Sequence, residues 1–179
     1  MFKHIIDVDL ELKLINLKDS EEFYRLIDSN RIYLRKWLGW VDDTKSSKDI
    51  ESFIKSCMNQ YANNGEFQAS IWYKGVIVGI IGLYDLNMHN KSTSIGYWLA
   101  ENYQGSGIMT RACKAIIDYV FKDLELQRVE IRCADKNFKS QAIPKRLGFT
   151  EEGVCRKSEN LYGNFVDLIV YSILKEEWI

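Results

Sequence analysis

"YQGSGIMT", Tyr103 to Thr110, sets the reading of the whole chain. Gly105 and Gly107 stand one residue apart where an apolar helical pattern begins. Glycine inside a helix costs roughly 1 kcal/mol relative to alanine, so helix propensity does not account for them. A helix N-terminus carries unpaired N–H groups and the positive end of the helix dipole, which suits a phosphate. Without a Cβ, the backbone can be approached closely. Three readings compete. A P-loop needs lysine and Ser/Thr directly after its last glycine, and here Ile108 and Met109 follow. The dinucleotide fingerprint needs glycine or alanine at position 110, where Thr110 stands, and it opens an alternating βαβ chain. The third is a glycine turn from strand to helix with no ligand, and the stretch alone leaves it open.

Downstream, "GIMTRACKAIIDYVF" is helical, with Ile108, Ala112, Ala115, Ile116 and Tyr119 on the buried side. "RVEIRCA" reads as a strand and "NFKSQAIPKRLGF" as a helix closed by Gly148, with Phe149 as the hydrophobic partner of that cap. Pro144 removes the donor that the Ser140 carbonyl would use, which predicts a bend or an irregular start. "LIVYSIL" is a final strand. Upstream, Phe67 to Tyr73, Val76 to Tyr84 and Thr93 to Leu99 are strand-like, with "YKG" a tight turn between the first two. Short connections between them predict an antiparallel meander, which is not how a dinucleotide-binding chain opens.

Nearer the N-terminus, "IIDVDLELKLI" alternates apolar and polar residues, predicting one half-buried strand from about Ile5 to Ile15. A helix follows with Asp19 or Ser20 as its cap, then a short one from Asn30 towards Trp37. "SKDIESFIKSCMNQYA" is a third, placing Ile50, Phe53, Ile54, Cys57 and Tyr61 on one side. The order β-α-α-α-β-β-β-α-β-α-β-β predicts a mixed sheet of about seven strands with helices, in the α/β or α+β class. With no repeat, linker or low-complexity segment, residues 1–179 read as a single domain.

Composition narrows the function. The formal net charge of −1 gives no global field towards nucleic acid or an anionic membrane. No secretory signal and no run long enough for a membrane span is visible, so a cytosolic location is expected. Cys57, Cys113, Cys133 and Cys155 include no close pair, and His4 and His89 are the only histidines. Neither a zinc site nor a histidine-activated nucleophile suits that pattern, so no metal is expected and the thiols read as free.

Asn137 and Ser140 ahead of Leu147, Gly148 and Phe149, taken with the glycine loop, resemble the GCN5-related N-acetyltransferase (GNAT) superfamily. Its main signature, Gln/Arg-x-x-Gly-x-Gly/Ala, reads here as Gln104, Gly107 and Met109, so the last position departs from the pattern. "SIGYWLAENYQGSGIMTRACKAIIDYVF", the C-terminal "NFKSQAIPKRLGFTEEGVCRKSENLYGNFVDLIVYS" and the early "YLRKWLGWVDD" are similar to the RimJ/RimL branch, the ribosomal-protein N-terminal acetyltransferases. The likeness spans nearly the whole chain.

The resemblance implies a GNAT fold, mostly antiparallel, whose fourth and fifth strands (Thr93 to Leu99 and Arg128 to Cys133) splay apart around the pantetheine arm of acetyl-CoA. It implies direct acetyl transfer to a primary amine, with the backbone of Gln104, Gly105, Ser106, Gly107, Ile108, Met109 and Thr110 on the coenzyme pyrophosphate. Arg111 and Lys114 are further phosphate candidates, although a solvated helix face explains them equally well. Asn137 resembles the asparagine that bonds the coenzyme arm, and it also suits a plain helix N-cap. Ser140 resembles the hydroxyl that protonates the departing thiolate. Cys133 falls where the resemblance places the coenzyme thiol, although a strand cysteine is more often a small hydrophobe. Glu159, in "KSENLYGN", resembles the base that takes the acceptor's proton; the bland reading is a solvated loop charge. Asp42 and Asp43 are candidates to attract a cationic acceptor, and Trp37 and Trp40 to form an apolar wall, although their three-residue spacing suits helix packing at least as well. A protein N-terminus or a small-molecule amine is the expected acceptor, with no nucleic acid or membrane partner and a homodimer admitted. The alternatives are an idle acyl-CoA sensor and a nucleotide-binding oxidoreductase.

Overall fold

The computed structural model describes residues 3–178. Eight strands form one sheet: β1 (Lys3–Ile5), β2 (Leu10–Leu14), β3 (Gln68–Tyr73), β4 (Val76–Asn87), β5 (Ser92–Leu99), β6 (Arg128–Ala134), β7 (Thr150–Leu161) and β8 (Asn164–Leu174). The spatial order is β1-β2-β3-β4-β5-β6-β8-β7. Every pairing is antiparallel except β5 with β6.

The single strand expected over Ile5 to Ile15 is instead a hairpin. The Asp7 carboxylate accepts the amides of Asp9 and Leu10 at 2.9 and 3.0 Å, folding the chain back between β1 and β2. The predicted fourth and fifth strands are therefore β5 and β6. Between β3 and β4, Lys74 and Gly75 both have positive φ, as a two-residue turn with the twist of its strands requires.

Helices α1 (Ser20–Ser29), α2 (Arg31–Leu34) and α3 (Ser47–Asn64) follow β2, α4 (Ile108–Lys122) follows β5, and α5 (Phe138–Arg146) follows β6. On α3 the buried side is narrower than the pattern predicts: Ile50, Ile54 and Cys57 are buried, whereas Phe53 and Tyr61 are exposed. On α4 it is wider and rotated, running through Cys113, Ile117 and Val120, with Ala115 half-buried and Tyr119 exposed. This helix lies against a sheet rather than a single neighbour, so it buries a broad stripe. Phe23, Ile27, Leu34, Val41 and Ile54 pack a second core with Ile77 and Ile80 of β4. The sheet thus has one core with α4 and another with α1–α3, and both set the walls of the cleft between them.

Candidate active site

Strands β5 and β6 pair only at Ser92–Arg128, Thr93–Val129 and Ser94–Glu130, and beyond that they part. A cleft of about 1030 Å³ opens at this parting, bordered by β5, β6, α5, the segment before α4 and the segment after α2. Its chemistry divides by strand alternation. Cys133 and Tyr97 point to the α4–α5 side, while Trp98 and Arg132 take the opposite parity on the same two strands.

At one end lies the glycine loop. Gly105 and Gly107 have φ of +78° and +70°, and a Cβ at either would meet nothing within 4 Å. Gly107 is the N-cap of α4. Ile108 and Met109 turn their side chains into the core, at 1% and 5% exposure, so only their backbone faces the cleft. Methionine at the departing motif position therefore leaves the loop surface open. Gln104, Gly105, Gly107, Ile108, Met109 and Thr110 border the cleft; Ser106 is exposed and does not.

The cations differ in part from expectation. Lys114 faces away, paired with Asp118 at 3.0 Å and lying over the Trp178 ring. Arg111 borders the cleft but is held in an ion pair by Asp7. Three cations that the loop motif did not mark also border it: Arg132, paired with Glu130 at 2.6 Å, Arg146, whose Nη1 donates to Thr110 Oγ1 at 2.7 Å, and Lys139, whose Nζ donates to Gln104 Oε1 at 2.8 Å.

In the middle of the cleft, Asn137 is the N-cap of α5 and accepts from the Ser140 amide at 3.2 Å. Helix α5 runs through Pro144 from Phe138 to Arg146. The Ser140 carbonyl that Pro144 leaves without an amide accepts from the Tyr97 hydroxyl at 3.2 Å. The Ser140 hydroxyl in turn donates to Tyr97 Oη at 3.3 Å and lies 3.2 Å from Cys133 Sγ. Burial raises the pKa of the Cys133 thiol and pushes that of the Tyr97 hydroxyl well up, so both keep their protons at neutral pH. Tyr97 was missed in the sequence, where it is simply one residue of a strand.

At the other end Trp37, Leu38 and Trp40 line the cleft, with Trp40 packed at 6.2 Å from Trp98. Glu159 borders this part, and it lies on β7 opposite Val166 rather than in a loop. A bulge between Cys155 and Glu159 precedes it, held where the Lys157 amide donates to Asp167 at 2.7 Å. Burial raises the pKa of the Glu159 carboxyl, and burial is the sole cause. Asp42 faces its own partner, the Arg35 guanidinium at 2.8 Å, and neither it nor Asp43 borders the cleft.

A family model for the acetyltransferase (GNAT) domain matches residues 9–150. The chain belongs to the GNAT acetyltransferase family. This GNAT chain is 38% identical to the putative ribosomal N-acetyltransferase YdaF of Bacillus subtilis (strain 168), over 99% of its own length and 98% of that relative's. It is 28% identical to the ribosomal-protein-serine acetyltransferase of Escherichia coli (strain K12), over 93% of each. Among solved structures, it superposes with a TM-score of 0.90 on the microcin C7 self immunity acetyltransferase MccE, solved in complex with acetyl-CoA and AMP; the two are 35% identical over 94% of each chain. The GNAT fold expected from the sequence, its splayed strands and its N-acetyltransferase class all stand. Among the described residues, no helix of this GNAT chain is long and apolar enough to cross a membrane.

Proposed function

We propose that the protein transfers acetyl from acetyl-CoA directly to a primary amine, the acceptor being a ribosomal-protein N-terminus or a small-molecule amine. One observation carries the reading: a single cleft joins an open helix N-terminus to a half-buried carboxylate, without an ion-pair partner among the described residues, through a parting in the sheet. The acetyl-CoA in the MccE complex supports the donor, and the names of the two ribosomal relatives support the acceptor class.

When bound, acetyl-CoA supplies an activated acyl thioester with a thiolate leaving group. The amides at the start of α4 bind its pyrophosphate, with Arg146 and Lys139 adding positive charge. Main-chain groups of β5 left unpaired by the splay are donors for the thioester carbonyl. Glu159 takes the proton that an ammonium acceptor must lose before its nitrogen attacks. The C–N bond forms, the C–S bond breaks, and the Ser140 hydroxyl turns its proton from Tyr97 to the departing sulfur, while the second proton lost by the nitrogen restores Ser140. A screen for thiol release over N-terminal peptides and polyamines tests the reading. Acetyl-CoA binding without turnover of any amine would favour a sensor, and binding of NAD in its place an oxidoreductase.

Two further measurements test the donor half. Gly107→Val adds a branched Cβ at a left-handed position in the cleft mouth. Affinity for coenzyme A is expected to fall at least tenfold, about 1.4 kcal/mol, with an unchanged circular dichroism spectrum. Unchanged affinity by calorimetry would remove the loop from the site. The cysteines provide an independent probe. Cys155 is half-exposed and should react first with a thiol reagent, whereas buried Cys57 (thiol pushed up to about 11) and Cys113 should lag. Acetyl-CoA should slow labelling of Cys133 alone; protection that spares Cys133 would place the thioester elsewhere.

A further inference from the structure

Tyr162 opens the two-residue turn between β7 and β8, and both turn residues are left-handed, at φ of +55° for Tyr162 and +90° for Gly163. A glycine or asparagine is the ordinary occupant of such a position. Tyrosine here reaches across the molecule. Its hydroxyl donates to the Leu38 carbonyl at 2.7 Å and accepts from the amides of Val41 at 3.1 Å and Asp42 at 3.4 Å. The ring lies against the Arg35 guanidinium, 3.9 Å from its centroid, and Asp42 holds that guanidinium from the other side. The two segments also fit closely beside this contact, because a Cβ at Gly39 would lie 3.1 Å from the Asn160 carbonyl oxygen.

The segment so gripped carries Trp37 and Trp40, which wall the cleft, while Glu159 stands three residues before Tyr162 on the other segment. Tyr162 itself does not border the cleft. We propose that Tyr162 is a positioning residue for the acceptor. It clamps the tryptophan-bearing segment onto the strand of Glu159, so that the acceptor's body and its reacting nitrogen are held in register. The grip falls on Leu38 to Asp42, whereas the link from this side to the glycine loop, Gln104 Nε2 to the Tyr33 hydroxyl, lies ahead of it on α2, so the clamp acts first on the acceptor half of the cleft. The inference rests on the acetyl-transfer reading.

Tyr162→Phe keeps the ring against Arg35 and removes only the hydroxyl. Misplacing a reacting group by about 1 Å costs up to 10²-fold in rate, so kcat/KM for the acceptor is expected to fall about tenfold, with acetyl-CoA KM within about twofold of wild type. Gly39→Ala, which pushes the segments apart from the neighbouring position, should shift the same parameter. Hydrogen exchange at the Val41 and Asp42 amides should quicken in Tyr162→Phe, a readout that needs no turnover. A wild-type protein that acetylates no amine would sink the acetyl-transfer reading while exchange still decides the clamp. Unchanged exchange, or a fall in thermal stability with acceptor kcat/KM and acetyl-CoA KM both unmoved, would overturn the clamp.

Discussion

Glu159→Gln is expected to lower kcat/KM for the amine by about 10²–10⁴, the usual contribution of a general base. In free energy that is about 2.7–5.4 kcal/mol of lost transition-state stabilisation. Glutamine keeps the shape and cannot accept the proton. Affinity for acetyl-CoA should stay near wild type, because Glu159 borders the tryptophan end of the cleft and not the glycine loop. The deficit should shrink as pH rises, since more of the acceptor is then already neutral amine. Burial adds a second signature. With its pKa raised, the carboxyl is protonated at pH values where an ordinary glutamate is ionised, and the acid limb of the wild-type kcat/KM profile should sit correspondingly higher. The stability consequence has the opposite sign. The folded state binds this proton more tightly than the unfolded chain, so stability is lost as pH rises through the raised value. Glu159→Gln should therefore melt no lower than wild type at neutral pH. Wild-type turnover by the variant at neutral pH would assign the proton to another group or to water.

The glycine loop, Asn137 and Ser140 were legible because each belongs to a short motif whose geometry is local. Gly107 caps α4 and Asn137 caps α5, so the chain within a few residues fixes where their groups point. Tyr97, Arg146 and Lys139 were not legible. Their approach to Ser140, Thr110 and Gln104 depends on how α5 crosses the parted strands. Glu159 shows an intermediate case. Its residue type is readable, but its place on a strand is not, because the register shift after Cys155 interrupts the period-2 pattern of β7. The N-terminal error has the same kind of cause. Alternation through "IIDVDLELKLI" is continuous across the turn, and the informative residue is Asp7, whose carboxylate accepts the two turn amides, rather than the apolar ones. The exposed Phe53 and Tyr61 on α3 mark a further limit. Helical spacing says which residues share a side, but not how wide a strip the neighbouring elements cover.

Ser140→Ala is the second large effect, expected to lower kcat by roughly 10², the lower end for general acid catalysis. The lower end applies because a thiol has a pKa of about 8.5, so the thiolate leaves tolerably well and needs only a weak acid. The surroundings hold this hydroxyl in one place. Pro144 frees the Ser140 carbonyl, which accepts a hydrogen bond from the Tyr97 hydroxyl, and the Tyr97 oxygen accepts from Ser140 Oγ until that proton turns to the sulfur. On its other side stands Cys133 Sγ, 3.2 Å away and bordering the cleft. Tyr97→Phe should therefore lose part of the same rate, and the double variant should lose less than the two single losses added together, as for groups acting in one network. The pH dependence separates Ser140 from Glu159. Neutral acceptor does nothing for a departing sulfur, so the deficit of Ser140→Ala should stay flat over the range in which that of Glu159→Gln shrinks. A wild-type rate in Ser140→Ala, or a deficit that closes with pH in step with Glu159→Gln, would move Ser140 out of the leaving-group role and leave it as a first-turn helix residue.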